Sequence, residues 1–496
     1  MQSPCSILFR MIHGKTYLHK KGRIRRSIYR GRIVLKRFLL KFLVSLVLVT
    51  LVMPLVSAVP PTVLWSDEVL TNDVKLSKDG NYVAVASNNQ LRFYDKSGGT
   101  PLWTYLLSSG KIYSVAISAD GDCVVAGTEL LDGGKILFWK NARTLTGTPD
   151  PTWMSVNLYG GVYRRCLDIS DDGNYIVACG TGRWVFYWVN AKALSGNDKP
   201  VTWRSLEFPM VDCVDLSGDG DYVAAGIRDN VPEGYAVAYW KNARTISGND
   251  RNPDWKSYSP DADVVDIAIS DDGNYVAAAT LLTLSVHYWA NAKSLTGDPA
   301  HTWYYGNGVP FTCIDMSSDG GSVIAGGGGG FTDIVPQSDE TLKAPSGVTV
   351  SGTVYFWSGA RGLTGKPQNP TWSYTTDGGV HDVTIDDIGI YMAADGNIYV
   401  PGKVYFFNSG GTLLWSYLID AADKLSISGD GSTLAVGTGA VDTGYLIGTG
   451  YSSGPSPVGG EVIPTSKLEI LTPYLALIGL IIAVSTIVVV KKRRIN

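Results

Sequence analysis

Histidine and cysteine are scarce in this chain, at five and six residues out of 496. The three histidines of the long middle segment, His287, His301 and His381, stand isolated in sequence, which disfavours a transition-metal centre. The five cysteines there, at 123, 166, 179, 213 and 313, are too few and too irregularly spaced for a disulfide framework. Their odd number leaves at least one free or intermolecular. There is no His-Glu-x-x-His, no Gly-x-Ser-x-Gly and no P-loop. The glycine run Gly326–Gly330 lacks the Lys-Ser/Thr that a phosphate cradle needs. No Asn-x-Ser/Thr sequon with x other than proline occurs between Val59 and Ser466, which points away from a glycosylated eukaryotic receptor.

Acidic residues are missing from the first 41 positions, which hold twelve Lys or Arg. An apolar run from Phe42 to Val56 follows, and Val56-Ser57-Ala58 supplies a small-residue cleavage site. Residues 1–58 therefore read as a signal peptide or an N-terminal signal anchor. At the other end, Leu471–Val490 carries no charge over twenty residues, about 30 Å of helix, and four cations follow at once. Basic residues stay inside, so the expected topology is single-pass, type I, in the plasma membrane. The tail 491–496 would be cytoplasmic and the long middle segment extracytoplasmic. Setting the terminal cations aside leaves 26 of the 42 Lys and Arg against 45 Asp and Glu, a balance near −19. So acidic a segment is a poor nucleic-acid partner.

Internal repetition dominates the middle segment. A block of the form apolar-x-apolar-Ser-x-Asp-Gly-x-Tyr-Val-Ala recurs with its Asp at 79, 120, 172, 219, 272, 319 and 430, and Ile388-Gly389 is a degenerate copy. Each Asp-Gly joins two short runs of alternating polarity, the signature of a hairpin. A third run ends in paired aromatics such as Tyr239-Trp240, and a fourth carries one Trp, at 103, 153, 203, 255, 303, 372 and 415. Four strands per roughly 50 residues make one propeller blade. The expected fold is all-β, a single β-propeller of about eight four-stranded blades over 59–447, with seven as the alternative count. Eight hairpins but only seven following tryptophans imply that Thr62–Ser66, with Trp65, closes the last blade. Five blades share a connection, Asn141-Ala142-Arg143-Thr144-Leu145-Thr146-Gly147 and its variants at Asn190, Asn242, Asn291 and Gly359. It reads as one helical turn with an Asn cap and a Gly stop. Residues 448–470, rich in Gly, Ser and Pro, read as a flexible stalk.

With its Asp-Gly turns and one Trp per blade, the pattern resembles the WD40-like and quinoprotein-dehydrogenase-like propeller repeats over about residues 62–447. The resemblance implies architecture rather than activity. Quinoprotein dehydrogenases carry an adjacent cysteine pair, and no Cys-Cys occurs here.

Aligning the innermost strands brings two polar columns into register. One holds Asp73, Asp266 and Asp382, the other Asp168, Asp215 and Asp315. These six would line the central channel, either as a hydrated polar lining or as ligands of a divalent cation such as calcium. No cofactor is otherwise required. The longest insertion, Gly326–Gly352, carries Phe331, Asp333, Asp339 and Glu340 as candidate partner contacts, since variable loops on a rigid ring carry specificity. The expected function is a cell-surface binding or protein-interaction scaffold for a protein, glycan or cell-envelope component. The alternative is an extracytoplasmic propeller enzyme, a hydrolase or a quinone-type oxidoreductase.

Overall fold

The repeated turn explains itself in local chemistry. Ser217 Oγ donates to Asp219 Oδ1 at 2.8 Å, and the same oxygen accepts the Asp221 N–H at 2.9 Å. Ser217 Oγ in turn accepts the Tyr222 N–H at 3.0 Å. The Ser–Asp bond recurs at Ser77–Asp79, Ser118–Asp120, Ser170–Asp172, Ser270–Asp272, Ser317–Asp319 and Ser428–Asp430. In the degenerate copy Asp386 takes the serine's place and accepts the Ile390 N–H. The glycine is needed twice over. Gly220 sits at φ +77°, and a Cβ there would lie 2.5 Å from the ring of Tyr175 in the preceding blade.

This computed structural model describes residues 60–451, except 132, 181, 229–234, 259–262, 282, 329–350, 366, 396–401, 420–421 and 440–442. The expected signal segment, most of the stalk, the apolar run 471–490 and the cationic tail lie outside the described residues. Phe331, Asp333, Asp339 and Glu340 do too. Among the described residues no helix is long and apolar enough to cross a membrane.

The described strands form eight sheets, one per repeat. Blades I to VII span 73–106, 111–155, 167–205, 211–258, 264–306, 311–375 and 383–419. Blade VIII takes three strands from 422–448 and its fourth, Thr62–Asp67, from the start of the chain. Strands are lettered A to D from the inside outward. The A strands are Asp73–Leu76, Lys111–Ile117, Leu167–Ile169, Val211–Leu216, Val264–Ile269, Phe311–Met316, Val383–Ile385 and Ala422–Ile427. Each contacts the next, and the last contacts the first, so the ring is closed.

Large side chains pack between blades, and their polar atoms register one blade on its neighbour. The D-strand tryptophan of each blade donates its Nε1–H to a carbonyl in the C–D connection of the following one. The bonds run Trp103–Ala142, Trp153–Ala191, Trp203–Ala243, Trp255–Ala292, Trp303–Ala360, Trp372–Ser409 and Trp415–Thr449, all between 2.9 and 3.1 Å. Trp65, at the closure, breaks the series: its Nε1 has no partner among the described residues. The C–D turns are 3-10 turns such as Ala142–Thr144 and Ala243–Thr245. The asparagine before them makes no side-chain cap, contrary to the sequence reading. It is there because the position is left-handed, with φ from +53° to +59° at Asn141, Asn190, Asn242 and Asn291. Gly359 substitutes for it at φ +67°.

Candidate functional site

The A strands are sheet edges, so their channel-facing N–H groups need acceptors. The aspartate columns supply them across blade boundaries. Asp73 Oδ2 accepts the Val115 N–H at 3.0 Å, Asp266 Oδ2 that of Ile314 at 2.9 Å, and Asp382 Oδ2 that of Leu425 at 2.8 Å. In the second column Asp168 Oδ2 accepts from Leu216, Asp215 Oδ2 from Ile269 and Asp315 Oδ2 from Ile385, at 3.1, 2.7 and 2.9 Å. Ser426 Oγ serves Leu76 in the same way at 3.0 Å. All six predicted aspartates thus meet in one channel cavity of about 150 Å³, and each also latches its blade to the next.

A closed ring of backbone bonds circles one channel end. At the A–B turns a belt of backbone bonds runs from blade to blade, Ala119 N–H to Asp171 C=O, Asp171 to Gly218, Gly218 to Asp271, Asp271 to Ser318, Ser318 to Asp387, Asp387 to Gly429 and Gly429 to Lys78. The Asp79 N–H, bonded to Ala119 C=O at 3.3 Å, completes it. Lys78 Nζ sits in the middle, 2.6 Å from Asp271 and 3.6 Å from both Asp171 and Asp387. Burial, reinforced by the charges of Asp271 and Asp387, pushes the Asp171 carboxyl up to about 6 despite Lys78.

Two cations missed by the sequence reading, Arg164 and Arg165, occupy the channel. Arg164 pairs with Asp382 at 2.5 Å, and Arg165 Nε lies 3.4 Å from Asp266. Arg165 also crosses the ring to donate to the carbonyls of Val265, Thr312 and His381, at 3.3, 2.8 and 3.2 Å. Lys75 joins them in the lining. These three cations offset part of the charge of the six carboxylates. Among the described residues no group of three or more His, Cys, Asp or Glu is arranged to hold a metal.

The net charge still leaves the second column strained. Burial pushes Asp315 up to about 7, although two backbone N–H groups favour its charged form. Burial and the neighbouring Asp168 charge raise Asp215 well above the carboxylate range, and Asp168 is raised by burial too. Burial and mutual repulsion favour a proton held between the two, and Asp215 is the partner raised further. Asparagine reproduces that partner: its Oδ1 accepts from Ile269 and its Nδ2 donates to Asp168. A raised folded-state pKa gives stability that is full below the unfolded value near 4 and is lost as pH rises toward the folded value. Asp215→Asn removes that loss, so its thermal midpoint relative to wild type should climb steadily from pH 4 to pH 8. A difference that stays constant with pH would show that Asp215 is not held protonated.

Histidine placement also departs from expectation. His287 and His301 are neighbours, with Nδ1 to Nδ1 at 3.2 Å, and Ser285 Oγ lies 2.8 Å from His287 Nε2. Both His287 and Ser285 are buried, away from the channel cavity.

On the face opposite the belt lie the B–C and D–A connections, whose sequences do not repeat. Among the described residues, five of the seven exposed large hydrophobics stand there: Leu106, Leu131, Tyr159, Tyr258 and Leu418. The strands flanking the longest insertion, Ser322–Gly327 and Thr353–Ser358, open onto this face as well.

No protein-family model and no curated protein matches this chain. Among solved structures it is similar to the C-terminal WD40 domain of Sif2, with a TM-score of 0.56 and 14% identity, covering 78% of this chain and 98% of that one. At that identity the likeness concerns the fold: this chain is built as a β-propeller of the WD40 kind.

Proposed function

We propose that this chain is a cell-surface binding scaffold, a propeller held outside the plasma membrane by the apolar segment 471–490 and presenting its B–C/D–A face to a protein partner. One observation carries the reading. The repeated side chains, whether turn Ser-Asp-Gly, D-strand Trp or channel Asp, are engaged in holding turns and neighbouring blades together. What remains for specificity is the non-repeating face, where exposed apolar residues collect. The membrane placement is supported by the charge order of the two termini. Propellers of this architecture commonly serve as protein-interaction platforms. The insertion bearing Phe331, Asp333, Asp339 and Glu340 leaves and re-enters the ring on this same face, which keeps those residues as proposed contacts.

The test is crosslinking on intact cells followed by purification of the full-length chain. A single envelope protein recovered in near-stoichiometric amount is the expected result. Recovery of the chain alone, together with turnover of an oligosaccharide panel or a quinone-like absorbance band, would replace the scaffold with the enzyme.

A further inference from the structure

Three loops from two adjacent blades converge on the B–C/D–A face. The blade II hairpin tip is closed by a Leu130–Gly133 bridge and leaves Leu131 fully exposed. Gly134 then exchanges backbone bonds with Leu158, at 3.2 and 2.7 Å, which docks the hairpin on the D–A loop between blades II and III. From that loop Tyr159 projects, 71% exposed. The B–C loop of blade III presses on it from the other side, since a Cβ on Gly182 would lie 2.7 Å from the Tyr159 carbonyl. It brings Trp184 to 5.5 Å from the Tyr159 ring, at 54°. Arg204 covers Trp184 at 4.9 Å and pairs with Asp250, and the exposed pair Arg183–Glu207 borders the group.

We propose that this shelf of Leu131, Tyr159 and Trp184 is the docking site for the partner, and that it receives an extended segment of another protein through an apolar or aromatic side chain. The proposal rests on the scaffold reading above and narrows it to one place and one chemistry. An aromatic centre edged by guanidinium–carboxylate pairs is the anatomy of a protein-binding hot spot. Loops held by backbone bonds present it preformed, which lowers the ordering cost of binding. Leu106, Tyr258 and Leu418 stand on three further blades, I, IV and VII.

The chain ends decide against a lipid occupant. Thr62 pairs with Gly448, and Gly448 with Thr433, next to the Asp430-Gly431 turn. Both ends of the ring therefore leave from the belt face, opposite the shelf. Tethered through either end, as the scaffold reading has it, the ring turns the shelf outward. The bordering charges are balanced rather than basic, so anionic headgroups have no special hold on it.

The probe is a displayed random dodecapeptide library panned against the full-length chain in detergent, with enriched peptides measured by fluorescence anisotropy. Enriched peptides should carry Trp, Tyr, Phe or Leu and bind the Leu131→Ser/Tyr159→Ala double variant at least about tenfold more weakly. They should bind a Leu418→Ser control as they bind wild type. Both shelf residues are exposed, so an unchanged thermal midpoint checks that the ring is intact. Undiminished binding to the double variant overturns the location and leaves the scaffold reading standing, as does failure of any peptide to enrich. Tyr159-dependent binding of an oligosaccharide, or of vesicles containing phosphatidylglycerol, overturns the partner chemistry. Absence of any crosslinked envelope protein on wild type would instead remove the scaffold itself.

Discussion

Trp203→Ala is expected to destabilise the ring by about 3–5 kcal/mol in urea unfolding, because a buried indole leaves a cavity that its neighbours cannot fill. Trp203 is fully buried and lies between the rings of Tyr187 and Trp240, at 5.1 and 5.8 Å. Its Nε1 reaches the Ala243 carbonyl at 2.9 Å, across the boundary between blades III and IV. Trp203→Phe separates the two contributions. It keeps most of the apolar contact but removes the short indole bond from that carbonyl, which retains only the 3.4 Å bond from the Ile246 N–H, at a cost of about 1–3 kcal/mol. Trp65 is the internal control. It holds the same place in blade VIII, yet its Nε1 has no partner among the described residues. Trp65→Phe should therefore cost clearly less than Trp203→Phe. Equal losses at the two sites would mean that packing alone, and not the indole latch, joins the blades.

The parts of this architecture that were legible in the sequence are those whose cause is local. An Asp-Gly turn needs Ser217, Asp219 and Gly220 within four residues, so seven full copies announce seven hairpins, and the degenerate Ile388-Gly389 copy marks the eighth. The closing strand was legible because Trp65 is the one D-strand tryptophan without a preceding hairpin. The C–D turn was half legible. Asn141 marks it correctly, but a cap and a left-handed backbone both select asparagine, and only Gly359 in the same place hints at the second cause. The channel aspartates could be placed on one phase of their strands, whereas their acceptor role could not. Asp266 serves an N–H 48 residues away, and nothing in local alternation encodes a partner in the next blade. Arg164 and Arg165 were missed for the opposite reason. They occur once, in a D–A loop, and an alignment of repeats discards whatever does not repeat. A basic doublet directly before the strand that carries Asp168 was the available signal.

Arg165→Met should be the most damaging single change in the channel, at about 2–4 kcal/mol, somewhat below the value for a fully buried pair because Arg165 keeps 20% of its side-chain exposure. Arg165 sits at φ +66°, and methionine bears the same backbone cost, so the comparison isolates the guanidinium. Its loss strips the carbonyls of Val265, Thr312 and His381 of a donor and withdraws positive charge from Asp266. Burial already raises the Asp266 carboxyl, with Arg165 opposing it. Without Arg165 the folded-state value rises further, and stability is lost as pH climbs above the unfolded value near 4. The gap between wild type and variant should accordingly widen from pH 5 to pH 8. Asp266→Asn in the Arg165→Met background should recover part of the loss at pH 8 and little at pH 5. Arg165→Lys should recover less than half, since one ammonium cannot address carbonyls on three blades. The consequence reaches the outer surface. Arg165 ends the same D–A loop that displays Tyr159, so its guanidinium anchors the shelf across the whole ring. Amide exchange over residues 156–166 should therefore quicken in Arg165→Met while the Trp203 latch stays protected. Exchange that quickens uniformly around the ring, or a gap that does not change with pH, would reduce Arg165 to one more packing residue.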